Sequence, residues 1–182
     1  MGYDPLLHHR RSIRLKGFDY SSAGAYFITI CCEDRLHRFG KVTDGEMILN
    51  DCGMIAYNEW HNLAERFLNF ELDVFQIMPN HMHGIIVLSD EIVVGATLAV
   101  AQKESETRAT ARVAPTISDI VGAYKSIVSN SCLDLFKLKN KTMGKFWQRN
   151  YYEHVIRDEN AYNNISNYIL DNPKKWDEDK FQ

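Results

Sequence analysis

The sequence predicts an α+β fold of the ferredoxin-like or RRM-like kind: an antiparallel sheet with helices packed on it, plus a C-terminal helix. Three observations predict it. Strand-like and helix-like segments follow in the order β-(β)-α-β-β-α-β-α, a Pro-Asn turn joins two apolar strand segments in mid-chain, and the helical segments carry single apolar stripes. With 182 residues, 45% of them hydrophobic, one domain spanning 1–182 with a buried core is expected.

The elements are justified in chain order. Ala25–Cys32 (AYFITICC) concentrates β-branched and aromatic residues and reads as a strand. Glu46–Asn50 reads as a short second one. Asp51 is placed to cap a helix reaching about Leu68, with Ala56, Trp60, Leu63, Ala64 and Phe67 at helical spacing. Phe70–Met78 alternates, with Phe70, Leu72 and Val74 expected on one face. Pro79-Asn80 is turn chemistry, and His81–Leu88 (HMHGIIVL) reads as the returning strand of a hairpin. Residues 90–115 are rich in Ala, Thr and Glu, lack aromatics and show no period, so a flexible loop or insertion is expected there. Thr116, with Asp119 three residues on, resembles a capping box before the stripe Ile117, Ile120, Val121, Tyr124, Ile127 and Val128. Phe146–Arg157 contains the extended stretch NYYEHVIR, expected as an edge or closing strand. Asp158 can cap a last helix with Tyr162, Ile165, Tyr168 and Ile169 on one side, and Pro173 is expected to end it.

Composition narrows the function classes. No apolar run has the length of a membrane span, and Met1 to Arg14 has no signal core, so a cytoplasmic protein is expected. The four cysteines form no CxxC pair, which argues for buried thiols rather than a zinc knuckle or disulfide framework. Net charge is −3, yet nine cations stand in two acid-free runs. Arg10, Arg11, Arg14 and Lys16 form the first; Lys137, Lys139, Lys141, Lys145 and Arg149 form the second. Phe146, Trp147, Tyr151 and Tyr152 lie in or beside the second run, and lysines for phosphates with aromatics for bases suit single-stranded nucleic acid.

His81 and His83 are the first candidates for chemistry. Two apart on a strand, they share a face about 6–7 Å apart and can converge on one ion. Substrate, water or a third side chain must then complete the shell. Tyr168 and Asn172 are four apart and share a helix face. A tyrosine beside a metal-held phosphate is a candidate nucleophile, with Asn172 offering an oxygen one turn on; packing within the stripe is the competing role for Tyr168. Tyr151 and Tyr152 are rival nucleophiles, Tyr124 reads as core, and His154 and Glu153 receive no role.

The segment Met78-Pro79-Asn80-His81-Met82-His83-Gly84-Ile85 resembles the histidine–hydrophobic–histidine motif of the single-tyrosine HUH transposases, the IS200-like superfamily. Phe146 to Arg157 (FWQRNYYEHVIR) and Asn167 to Pro173 (NYILDNP) resemble its REP-associated branch, as do Arg10 to Gly17 and Tyr26-Phe27-Ile28-Thr29. The resemblance implies that His81, His83 and Asn172 hold a divalent metal, Mg2+ or Mn2+, and that Tyr168 attacks the scissile phosphate to leave a 5′-phosphotyrosine and a free 3′-hydroxyl. It implies single-stranded or hairpin DNA as substrate, as in repetitive extragenic palindromes. Arg10, Arg11, Arg14, Lys16, Lys145, Trp147 and Arg149 are the expected DNA-binding residues. It also implies a bacterial protein, nucleoid-associated when on DNA, and leaves monomer and homodimer open. Two other readings stand beside it: a non-catalytic nucleic-acid-binding module, and a metal-dependent nuclease using activated water.

Overall fold

The β-branched run near the N-terminus is paired along both edges. In the computed structural model, which describes residues 23–67, 70–89 and 115–182, β1 (Gly24–Cys31) lies between two antiparallel neighbours. β5 (His81–Leu88) flanks it on one side and β6 (Tyr152–Ile156) on the other, while β4 (Phe70–Ile77) pairs with β5 from outside. The sheet order β4-β5-β1-β6 with helices between the strands is the ferredoxin-like arrangement that the element order predicts. Arg10, Arg11, Arg14 and Lys16, and all but the last residue of the expected 90–115 loop, lie outside the described residues. Among the described residues no helix is long and apolar enough to cross a membrane.

Period-two alternation assigns the two sheet faces. Tyr26, Ile28, Ile30, Met82, Ile86 and Leu88 point to one face, where α1 (Asp51–Asn62) and α2 (Ile117–Leu138) cover them to form the main core. Trp60 and Tyr124 close that core, with ring centroids 5.3 Å apart and the Tyr124 hydroxyl donating to the Ala56 carbonyl at 3.0 Å. Phe27, Ile85, Val87 and Ile156 point to the other face, where α3 (Glu159–Asp171) lays down Ile165 and Ile169. The sheet is thus the middle of three layers, and the C-terminal helix has one face of it.

Local chemistry explains where the elements begin and end. Thr116 and Asp119 form the expected capping box on α2, and Asp158 accepts from the Ala161 N–H at 2.8 Å to start α3. The cap of α1 is Asn50, not Asp51: its Oδ1 accepts from the Gly53 N–H at 3.0 Å. That helix also ends earlier than expected, tightening into a 3₁₀ turn over Leu63–Glu65. Pro173 follows the end of α3 at Asp171 and opens a 3₁₀ segment, Asn172–Glu178, where its missing N–H is no loss. β2 (Gly40–Thr43), which the sequence reading passed over, pairs with β3 (Glu46–Leu49) across Asp44 and Gly45, both at positive φ, as a type I′ hairpin turn demands. A bulge between Leu72 and Phe75 breaks the alternation of β4. It sends Val74 to the α3 face while Phe70 and Leu72 stay with the main core, so the three do not share a face as expected.

All four cysteines are buried and unbridged, as their spacing suggested. The turn entering β6 is held by a half-buried lysine. Lys125 Nζ on α2 donates to the carbonyls of Gln148 at 2.7 Å and Arg149 at 3.2 Å, and burial holds its pKa down.

Candidate metal and tyrosine site

His81 and His83 point from β5 to the α3 face, and both side chains are fully buried. Cross-strand register puts His83 between Gln76 on β4 and Thr29 on β1. The inner ring nitrogens are engaged: His83 Nδ1 lies 2.8 Å from the Thr29 hydroxyl, and His81 Nδ1 donates to Asn80 Oδ1 at 2.7 Å. Asn80 is itself held, donating Nδ2 to the Phe181 carbonyl at 2.8 Å. These partners fix ring orientation and leave both Nε2 atoms, 3.0 Å apart, turned toward one point. Burial pushes the His81 imidazolium down to about 4 against the pull of Asp179, and drives His83 well below its ordinary value. Both rings are therefore neutral at pH 7, with lone pairs available to a metal.

That depression has a stability consequence with a definite sign. The unfolded chain takes up protons on these imidazoles near pH 6.5, and the fold resists until about pH 4 for His81. The stability of the metal-free protein should hold above pH 7 and fall as pH drops from about 6.5 toward 4. A urea midpoint that stays flat across that window would show that the rings protonate freely in the fold.

The third party is Tyr168, on α3. Its hydroxyl lies 3.3 Å from His83 Nε2, and its ring meets Phe27 edge-on at 6.1 Å. At 39% exposure it keeps one side to solvent, which a residue serving only the core would not. Burial of the other side and the charge of Asp179 raise its pKa, while the Asn172 side chain acts in the opposite direction. Asn172 is buried at 2% exposure, and its Oδ1 has no hydrogen-bond partner. Asp179, absent from the sequence-based candidates, comes from the C-terminal 3₁₀ region. His81, His83 and Asp179 each present one donor atom, and these atoms lie within 4.8 Å of one another. A groove of about 290 Å³ opens alongside, lined by Tyr168, Asn172, Lys175, Glu178, Asp179 and Lys180. Two buried oxygens without partners, Asn172 Oδ1 and Asp179 Oδ2, and two neutral imidazole nitrogens facing each other make a donor set that fits a divalent cation.

The structure brings His81, His83, Tyr168 and Asn172 together but treats the other candidates unequally. Trp147, expected to stack on bases, is 6% exposed and packs against Phe39 and Phe146, with Nε1 donating to the Lys125 carbonyl at 2.9 Å. Its apolar faces are spent on the core, so it offers no stacking platform. Lys145 is ion-paired to Glu33 at 2.5 Å, and Arg149 is exposed. Tyr151 turns to the α2 side, where its hydroxyl meets Ser118 at 3.0 Å, whereas Tyr152 is 45% exposed and lies on Phe181, 5.4 Å between centroids. His154 is exposed on the same sheet face as His83, opposite Phe27 in the register. What the sequence reading missed is the segment after Pro173: Lys175, Asp179 and Lys180. The one available signal was the need for an oxygen donor beyond two imidazoles, with acids crowded within a dozen residues of Tyr168.

No protein-family model matches the chain. A Haemophilus influenzae protein described only as uncharacterized is 39% identical over 178 residues, covering 98% of this chain and 96% of that one. Among solved structures, a REP-associated tyrosine transposase bound to a REP hairpin superposes with a TM-score of 0.59 at 18% identity, over 90% of this chain and 74% of that one.

Proposed function

We propose that this chain, which belongs to one family with the Haemophilus influenzae protein and has the fold of a REP-associated tyrosine transposase, is a metal-dependent transposase that cleaves and rejoins single-stranded DNA at hairpins through a 5′-phosphotyrosine. The observation that carries the reading is a part-exposed tyrosine whose hydroxyl lies 3.3 Å from the inward-facing Nε2 of a buried two-histidine pair.

The residues divide the work. His81 and His83 would hold the cation, with Asn80 and Thr29 keeping their Nε2 atoms aimed. A bound Mg2+ or Mn2+ ion would draw charge from the phosphate and from the phenol. Lys175 and Lys180 stand along the groove where a phosphate backbone can lie. Tyr168 Oη attacks phosphorus, the bond to the 3′ oxygen breaks, and the phenol proton leaves on the exposed side while the departing 3′ oxygen takes one from solvent. Because the phosphotyrosine retains the bond energy, the 3′-hydroxyl can attack it in reverse, and no nucleotide cofactor is needed. The Asn172 side chain favours the ionised phenol, which the buried surroundings otherwise disfavour.

The test is covalent trapping of the full chain on labelled hairpin DNA with Mn2+, read by denaturing electrophoresis. A protein-linked DNA band that needs the metal is expected. Free 5′-phosphate ends without such a band would replace this reading with hydrolysis by activated water, and binding without any cleavage would leave a non-catalytic module.

A further inference from the structure

Two neutral imidazoles bring no charge to set against that of a divalent cation, and a neutral amide brings none either. The Asp179 side chain is fully buried, with Oδ2 3.8 Å from His81 Nε2. That oxygen has no hydrogen-bond partner, a costly state for a buried carboxylate unless a cation meets it. The other oxygen is committed: Oδ1 accepts from the Phe181 N–H at 2.6 Å, which orients the carboxylate so that Oδ2 faces the imidazoles. The segment around it is anchored as well. Arg35 donates to the carbonyls of Lys180 at 3.0 Å and Gln182 at 3.1 Å, and the Phe181 ring lies 5.1 Å from His81 and 5.7 Å from His83.

We propose that Asp179 is the anionic ligand of a two-histidine, one-carboxylate centre, which makes the C-terminal segment part of the metal site and sets its choice of ion. The proposal rests on the metal-centre reading above and gives it a third ligand. Asn172 then contributes less to the ion than Asp179, its side chain serving the Tyr168 hydroxyl. Two imidazoles with one carboxylate favour manganese over magnesium, which prefers an all-oxygen octahedron.

The experiment titrates the metal-free full chain with Mn2+ alone, reading free ion by electron paramagnetic resonance, with no DNA present. Asp179→Asn keeps the shape and the acceptor for Phe181 N and removes only the charge. It should weaken Mn2+ binding at least tenfold. Asn172→Ala should change it less than about threefold, and Mg2+ should displace Mn2+ from the wild type only at roughly hundredfold excess or more. Asp179→Glu separates a ligand from a structural acid: as a ligand it should recover part of the lost affinity, and a loss equal to that of Asp179→Asn would count against the proposal. Equal Mn2+ affinity in wild type and Asp179→Asn, or a larger loss in Asn172→Ala, overturns it. Cleavage by a wild type whose Asp179→Asn variant binds Mn2+ normally would sink this inference and spare the transposase reading; the Mn2+ loss in a protein that cuts nothing would do the reverse.

Discussion

Tyr168→Phe should remove the covalent protein–DNA species and lower strand cleavage at least a thousandfold, about 4 kcal/mol of barrier, while leaving fold and Mn2+ binding near wild type. The reason lies in what the substitution deletes. The hydroxyl is the part of the side chain that meets His83 Nε2, at 3.3 Å, and the ring keeps its edge-on contact with Phe27. His83 keeps the Thr29 hydroxyl, but the buried Asn172 side chain loses its hydrogen bond to the phenol oxygen. The expected loss of stability is therefore that of one hydrogen bond, about 0.5–1.5 kcal/mol. His81→Ala should differ in kind, abolishing both the adduct and Mn2+ binding by removing a ligand. Thermal melting, Mn2+ titration and the trapping gel together separate the two variants. An adduct that survives in Tyr168→Phe would shift attention to Tyr152, the other exposed tyrosine on that sheet face among the described residues.

Gly84→Ala should destabilise the protein by about 1–3 kcal/mol, as overpacking does, and weaken Mn2+ binding about tenfold although residue 84 faces Trp60, away from the two imidazoles. A Cβ at Gly84 would sit 2.7 Å from Trp60 Cζ2, 3.0 Å from Cη2 and 3.4 Å from Phe75 Cβ. The indole has little room to retreat, since Tyr124 stands against it at 5.3 Å and Phe75 at 5.8 Å between centroids. The strand must move instead, and His83 is the adjoining residue. Trp60→Phe makes room at a cost of its own. The double variant should be more stable than the sum of the two single losses allows, because the residues touch. Strict additivity in urea unfolding, or unchanged Mn2+ affinity in Gly84→Ala, would break the link between core packing and ligand placement.

What was legible in the sequence follows from the range of the forces that decide each feature. The sheet and its helices were readable because alternation, caps and the Pro79-Asn80 turn act locally: Thr116 with Asp119, and Asp158, cap the helices they precede. Of the β2–β3 hairpin the sequence marks β3, as Glu46–Asn50, and Asp44-Gly45 is a strong turn dipeptide; β2, four residues long, is too short for alternation to mark it. The bulge in β4 was not readable. It depends on Asp73 accepting from the Val74 N–H and from the Tyr162 hydroxyl of α3, a partner far away in the chain. The burial of Trp147 was hidden for a similar reason: basic neighbours made it look like a surface residue, and only the docking of α2 supplies the Lys125 carbonyl that satisfies its N–H. For the site, spacing placed His81 with His83 and Tyr168 with Asn172. Asp179 belongs to no periodic element, so only the folded chain brings it to the imidazoles.

The basic run from Lys137 to Arg149 holds fewer free cations than its sequence suggests. Lys137 pairs with Asp134, Lys139 with Asp51 and Lys145 with Glu33. A DNA phosphate that takes one of these lysines must first displace a carboxylate, so part of the gain from counterion release is forfeited. The run should therefore contribute less to the salt dependence of binding than its five cations would if all were unpaired. Glu33→Gln, by freeing Lys145, should steepen the plot of log affinity against log salt by up to about one unit; an unchanged slope would mean that DNA does not reach this flank of the molecule.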